Sequence, residues 1–339
     1  MARLYLHIGA FKTGSTYIQS SLRKNREVLA QSGLIYPEGT ERPGMEDQAW
    51  TGGNAGYLFD TAQKANKIIR ASMQKDCHGL ILSNEGMLTM LGGDGTRKIL
   101  RDTIRLHRFR ETRVLLYLRD PMQLGVSYWL QRVKGHGESD PLDDFLRKTR
   151  FIQDYMSLTA DVLEYLESQD DFVMAVLNYA THKSDILSSL SHWLKVDRSI
   201  LVSPDAEKVN RSLDTGEAIL QLGLNRLLGP YASFLGKALT ERLTDIASEK
   251  PAPSPELQES IWKEVEPWVK RINRFLPEGQ GLVFDRMESK TYPEGYRFTR
   301  EQIEIIADSL GGEVRKYWES ESKAMRLFRR MTEFLRQKR

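Results

Sequence analysis

Leu6-His7-Ile8-Gly9-Ala10-Phe11-Lys12-Thr13-Gly14-Ser15-Thr16 runs from an apolar strand through a glycine loop into a helix. Leu4, Tyr5, Leu6 and Ile8 supply the strand, and Tyr17, Ile18 and Leu22 then recur at helical spacing. Such a junction aims backbone N–H groups and a helix N-terminus at one spot, which suits an anion. Gly9 and Gly14 have the separation of the glycines in a Walker A loop, but Ser15 stands where the Walker lysine belongs and Lys12 lies inside the loop. The usual clamp on β- and γ-phosphates is therefore missing. A 5′-phosphate could still be held by backbone donors and by the hydroxyls of Thr13, Ser15 and Thr16, with Lys12 reaching a neighbouring anionic group. A merely structural turn is the alternative reading of this loop taken alone.

A second stretch, Glu111-Thr112-Arg113-Val114-Leu115-Leu116-Tyr117-Leu118-Arg119-Asp120-Pro121, changes the balance. Its continuous apolar run is typical of a buried parallel strand. Asp120 suits an N-cap and Pro121 a first helical position, so a helix is expected from there through Leu130. Arg119 then falls at the carboxyl end of a strand, where open α/β sheets bind ligands, and Ser127 in the second turn of the helix. Together they can grip a second phosphate through charge-assisted bonds.

The two motifs, G-x-x-K-T-G-S-T and Y-x-R-D-P-x-x-x-x-x-S, resemble those of the sulfotransferases that use 3′-phosphoadenosine 5′-phosphosulfate (PAPS). The resemblance implies that Lys12, Thr13, Gly14, Ser15 and Thr16 bind the 5′-phosphosulfate end and that Arg119 and Ser127 bind the 3′-phosphate. Phe172 to Trp193 resembles the family's later strand and helix, and Asn210-Arg211-Ser212-Leu213 resembles bacterial members. The likeness is strong over residues 1 to 135, weaker to about 230, and carries no motif beyond. The rival readings are a P-loop nucleotide kinase or nucleotidase, disfavoured by Ser15, and a non-catalytic nucleotide-binding protein.

Composition narrows the class. Lys plus Arg is 49 against 46 acidic residues, a net charge of +3, which provides no global field for nucleic acid. Cys77 is the sole cysteine, which excludes an intramolecular disulfide and fits a reducing compartment. The amino terminus shows no signal-peptide pattern, and no apolar run approaches the roughly 20 residues that span a bilayer. A cytoplasmic enzyme is expected. The histidines show no metal-ligand spacing, so no metal is expected.

Strands alternate with helices: Leu34 to Tyr36, a helix around Leu58 to Met73, a strand at Gly79 to Ser83, a helix around Arg97 to Phe109, then strands at 113 to 118 and Phe172 to Leu177. This order predicts a P-loop-like three-layer α/β fold, with a central parallel sheet and helices on both faces. Helical patterns follow at Leu213 to Leu228, Leu235 to Ile246, Leu257 to Phe275 and Ile303 to Leu310, with a proline-rich break at Pro251 to Pro255. One sulfotransferase domain over 1–339 is expected, with a PAPS-binding core at 1–205 and a helical acceptor side and extension at 206–339. The glycine-bearing stretch Glu38 to Gly56 reads as a lid or as a surface loop.

Sulfuryl transfer requires a charge clamp and a base. Lys12 is the choice for stabilising the leaving group. Glu85, just past the strand at Gly79 to Ser83, is the first candidate base, against a salt-bridge role. His136, in a glycine-flanked loop, is the second, against a solvated surface role. His7 reads as buried and hydrogen-bonded, and Trp129 as core rather than an adenine platform. The polar, glycine-bearing loops favour a hydroxylated, sugar-like acceptor over a steroid or simple phenol. At the carboxyl end Arg326, Arg329, Arg330 and Arg336 flank Leu327, Phe328, Met331 and Leu335 in a basic amphipathic helix. That helix suits an anionic membrane surface, its own domain or the partner subunit of a homo-oligomer.

Overall fold

In the computed structural model the described residues are 1–38, 53–56, 61–73, 77–204, 211–244, 249–288 and 295–337, with side chains to 320. In chain order they form β1 (Arg3–Ile8), α1 (Ser15–Lys24), α2 (Arg26–Gln31), β2 (Leu34–Ile35), α3 (Ala62–Ser72), β3 (Gly79–Asn84), α4 (Met87–Met90) and α5 (Asp94–His107). Then come β4 (Thr112–Leu118), α6 (Pro121–Gly135), α7 (Leu142–Thr149), α8 (Phe151–Glu167), β5 (Phe172–Asn178), α9 (Tyr179–His182) and α10 (Ile186–Leu194). The rest is helical: α11 (Thr215–Leu228), α12 (Ser233–Arg242), α13 (Pro255–Asn273) and α14 (Arg300–Gln337).

The strands form one five-stranded sheet in the order β2-β3-β1-β4-β5, and every pairing is parallel. The α/β fold expected from the alternating elements is therefore the observed one. Tyr5, Ile81, Leu115 and Tyr117 join Ile18, Leu22, Leu187, Leu190 and Trp193 in one buried cluster, so α1 and α10 cover one face. Leu4, Leu6, Leu80, Leu82, Val114 and Leu116, of the opposite parity, are equally buried. Both faces are thus covered, as a parallel sheet requires.

Two compact units make up the chain, each discontinuous in sequence. One comprises Met1–Tyr128, Asp143–Val209 and Pro253–Met287; the other comprises Trp129–Leu142, Asn210–Ala252 and Glu288–Arg339. The first contains the sheet, with α13 packed on α8. The second is helical and is organised around a buried ion pair. Arg211 sends two bonds of 2.6 Å to Glu217, whose carboxylate also accepts from Gln302 Nε2 at 2.8 Å. Burial alone would push the Glu217 carboxyl up, but the bonds from Arg211 and Gln302 outweigh it and hold it below the usual range.

Element bounds differ from the sequence expectation where caps decide. The helix expected from Leu58 begins at Ala62, because Thr61 accepts from Lys64 N with its hydroxyl. The helix expected from Arg97 begins at Asp94 and stops where Arg108 turns left-handed at φ 51°. The one expected at Ile303 to Leu310 extends over Arg300–Gln337. Helices α7 and α8 had no counterpart in the sequence reading.

Candidate active site

The loop after β1 is built by close backbone approach. Gly9 N–H donates to Asn84 O at 2.9 Å, and a Cβ on Gly9 would lie 2.7 Å from Glu85 Cα and 2.8 Å from Ser15 Oγ, so any side chain there displaces the loop. Lys12 is left-handed at φ 60°, and Gly14, at φ 78°, is the N-cap of α1. Thr13 donates its hydroxyl proton to Ala10 O at 2.9 Å and so braces the loop. Ser15 makes only a 3.4 Å bond to the same carbonyl, and its hydroxyl can rotate toward another acceptor.

Aromatic side chains hold the loop from outside. Phe11 N–H donates to Tyr155 Oη at 3.3 Å, and the Phe11 ring lies 5.8 Å from Tyr155 and 6.0 Å from both Tyr128 and Phe151. Tyr155, on α8, is buried, and burial pushes its phenol well up from the ordinary value. On another side, a Cβ on Gly14 would meet Tyr179 Cε2 at 3.0 Å, and the Arg119 guanidinium stands 5.8 Å from the centre of the Tyr179 ring.

Arg119 leaves the carboxyl end of β4, and Asp120 caps α6 by accepting from Met122 N at 3.0 Å and Gln123 N at 3.2 Å. Those bonds set the chain direction and turn Ser127 toward the arginine. Arg119 Nη1 donates to Lys12 O at 3.2 Å and to Ser127 Oγ at 3.3 Å. Its Nε is buried with no hydrogen-bond partner among the described residues. A buried guanidinium N–H without an acceptor is what an incoming oxyanion would satisfy. Asp120 is itself unusual, because burial pushes its carboxyl up to about 6 against the pull of the two amide bonds, with Asp285 adding repulsion.

Glu85 follows β3 on the same edge. Burial raises its carboxyl above the ordinary value while the Lys12 ammonium pulls it back. Burial lowers Lys12, Glu85 opposes that shift, and Arg119 reinforces it. One anion, two cations and a set of loop amides therefore converge at the carboxyl ends of β1, β3 and β4. His7 is buried, with Nδ1 2.8 Å from Ser83 Oγ, and burial lowers it to about 4, so it is a neutral sheet residue.

The structure brings Lys12, Thr13, Gly14, Ser15, Thr16, Glu85, Arg119 and Ser127 together in the first unit. His136 belongs to the second, where it is exposed with Nδ1 3.4 Å from Gln131 O. Trp129 is buried and donates from Nε1 to Asp140 O at 3.0 Å, a core role. Arg211 is engaged by Glu217 rather than free for an acceptor. The middle of Glu38 to Gly56, Trp50 included, and Asn210 lie outside the described residues. Tyr155 and Tyr179 were missed: neither sits in a motif, and only the fold carries them to the loop. Among the described residues no cluster of His, Cys, Asp or Glu could hold a metal, and no helix is long and apolar enough to cross a membrane.

No protein-family model matches the chain, and no curated protein matches it. Solved structures similar to it include a sulfotransferase from Alicyclobacillus acidocaldarius, 14% identical, covering 80% of this chain and 94% of that one with a TM-score of 0.43. Retinol dehydratase in complex with androsterone and inactive cofactor PAP is 12% identical over 79% of each chain, with a TM-score of 0.30. A sulfotransferase domain from the curacin biosynthetic pathway is 13% identical, covering 78% of this chain and 97% of that one, with a TM-score of 0.33. The all-parallel sheet, with the loop after β1 and the Arg119–Ser127 pair after β4, rests on the chain's own residues and is a P-loop-like α/β fold.

Proposed function

We propose that the chain is a PAPS-dependent sulfotransferase, moving a sulfuryl group to a hydroxyl or amine acceptor. The observation that carries this reading is the convergence of Lys12, Glu85 and the Arg119–Ser127 pair on one edge of the sheet. The unpartnered Nε of Arg119 and the Ser15 hydroxyl, held by only a 3.4 Å bond, fit a ligand with two separate anionic groups.

In this reading PAPS supplies the activated sulfuryl group: the acceptor oxygen or nitrogen forms a bond to sulfur, the bridging S–O bond breaks, and adenosine 3′,5′-bisphosphate leaves with the electron pair. Arg119 and Ser127 hold the 3′-phosphate. The loop amides and the hydroxyls of Ser15 and Thr16 hold the 5′ end, with Thr13 bracing the loop and Gly14 opening the helix. Lys12 neutralises charge on the departing oxygen. Glu85 takes the acceptor's proton. Its raised affinity for that proton suits a general base, whose value is best near the operating pH. His136 is the second candidate. The acceptor we assign is a sugar-like hydroxyl compound, and the setting is cytoplasmic.

The test is a thermal-shift assay followed by an activity screen with PAPS and a panel of saccharides, phenols, amines and lipid alcohols. Adenosine 3′,5′-bisphosphate at a hundred times its dissociation constant should add roughly 2.7 kcal/mol of stability. Better stabilisation by ATP with magnesium would favour the kinase reading and overturn this one.

A further inference from the structure

The chain that follows α13 in the first unit is pinned at two points by side-chain amides. Asn273 Nδ2 donates to Leu282 O at 3.0 Å, and Leu282 N–H donates to Asn273 Oδ1 at 2.9 Å. Gln258 exchanges the same pair of bonds with Met287, at 2.9 Å in each direction. Leu282 is buried. Within the loop that Asn273 closes, Gln280 N–H donates to Pro277 O at 3.0 Å across a turn in which Gly279 stands at φ 76°. Residues 277–287 therefore form a fixed strap.

The turn presents Gln280 to the carboxyl end of β5. Gln280 Oε1 accepts from Asn178 N at 3.2 Å and from His182 Nε2 at 3.1 Å, and Gln280 O accepts from Asn178 Nδ2 at 3.1 Å. An amide oxygen can only accept, so His182 carries a proton on Nε2. Asn178 Oδ1 accepts from Ala180 N at 2.9 Å and caps α9. The backbone N–H of Asn178 and both ends of its side chain are thus committed. A helix of four residues has little stability of its own, so these bonds fix its first residue, Tyr179. The Tyr179 ring lies against Gly14 and 5.8 Å from the Arg119 guanidinium, within cation–π range. The strap also approaches Asp120, the residue after Arg119, since Asp285 adds to the rise of its carboxyl.

We infer, resting on the 3′-phosphate role proposed for Arg119, that Gln280 is a positioning residue for that phosphate: by locking Asn178 and His182 it holds the Tyr179 ring against Arg119 and so sets the guanidinium. Gln280 acts through Asn178 and Tyr179 and needs no contact with the nucleotide. Selectivity for the 3′-phosphate then depends on a residue far outside the stretch 1–205.

Titration calorimetry of the full chain with adenosine 3′,5′-bisphosphate and with adenosine 5′-phosphosulfate tests this. Gln280→Ala should weaken the bisphosphate by about 2- to 30-fold, the range of a lost cation–π contact, and leave the phosphosulfate unchanged. Tyr179→Leu should give the same selective loss. Adding Gln280→Ala to Tyr179→Leu or to Arg119→Ala should change nothing further. His182→Phe keeps a ring beside Tyr117, whose ring centre is 6.2 Å away, but removes one donor to Gln280. It should give a smaller loss of the same selectivity, a readout that holds even if Gln280→Ala fails to fold. Full bisphosphate affinity in either variant, equal losses for both nucleotides, or losses that add to that of Arg119→Ala would overturn the role of Gln280 and leave the proposed function standing. A parent chain that binds neither nucleotide would overturn the proposed function, and the role of Gln280 with it.

Discussion

Arg119 holds its place by donating to Lys12 O and Ser127 Oγ, which leaves Nε for a ligand. If it grips the 3′-phosphate, Arg119→Ala should weaken adenosine 3′,5′-bisphosphate by about 2–5 kcal/mol, the range for truncating one partner of a buried charge pair. Titration calorimetry should show a far smaller change for adenosine 5′-phosphosulfate, which lacks that phosphate; equal losses would assign Arg119 to the fold or the 5′ end. Glu85→Gln should lower turnover by roughly 10²- to 10⁴-fold with nucleotide affinity kept. Because burial raises Glu85, the parent enzyme's rate should fall as pH drops through that raised value, and this acid limb should vanish in the glutamine variant. Asp120 makes a separate prediction about stability. Its folded value of about 6 exceeds the ordinary 3.8, so between those values the native state binds more protons than the unfolded one and stability falls as pH rises. Asp120→Asn keeps the cap but cannot ionise. Urea midpoints should show the variant gaining on the order of 2–3 kcal/mol over the parent at pH 7 and losing that advantage near pH 4.

At the scale of elements, the loop depends on supports that lie far away in sequence. Asn54 is buried and acts as a clasp on β3: Ser83 N donates to its Oδ1 at 2.8 Å, and its Nδ2 donates to Ile81 O at 3.1 Å and Pro37 O at 3.2 Å. Asn54→Ala should leave Ser83 N–H without that acceptor and cost about 1–3 kcal/mol in denaturant unfolding, against near-neutrality for a surface asparagine. Helix α8 carries Tyr155 to Phe11, and its apolar residues Ile152, Tyr155, Met156, Ala160, Leu163 and Leu166 do recur at helical spacing. Its existence was therefore legible. Its contact with the loop was not, because a periodic pattern marks a buried face without naming what the face meets.

At the scale of the molecule, two units divide the chain without respecting its order. Arg211 lies in a stretch that resembles bacterial sulfotransferases and falls within the expected acceptor side, yet its guanidinium is spent on Glu217, with side-chain exposures of 7% and 0%. Arg211→Met should strand a buried carboxylate and destabilise the second unit by about 3–5 kcal/mol. Bisphosphate binding by the first unit, followed calorimetrically below the transition, should persist, while hydrogen exchange rises over α11 and α12. Equal loss of protection across the sheet would mean that the units unfold as one.

Local chemistry alone determined the strand-loop-helix at Leu6 to Thr16, the Asp120 cap, the strand tip at Arg119 and the alternation that makes the sheet parallel. Each depends on residues within a few positions of one another, where period, glycine and capping act directly. Tertiary structure alone decided that the Lys12 ammonium holds back the rise of the buried Glu85 carboxyl, that His7 is neutral, that Tyr155 and Tyr179 flank the loop, and that Arg211 is consumed by Glu217. Those outcomes depend on which distant backbone supplies the neighbour and on how much water burial removes. Neither quantity is written in any single stretch of chain.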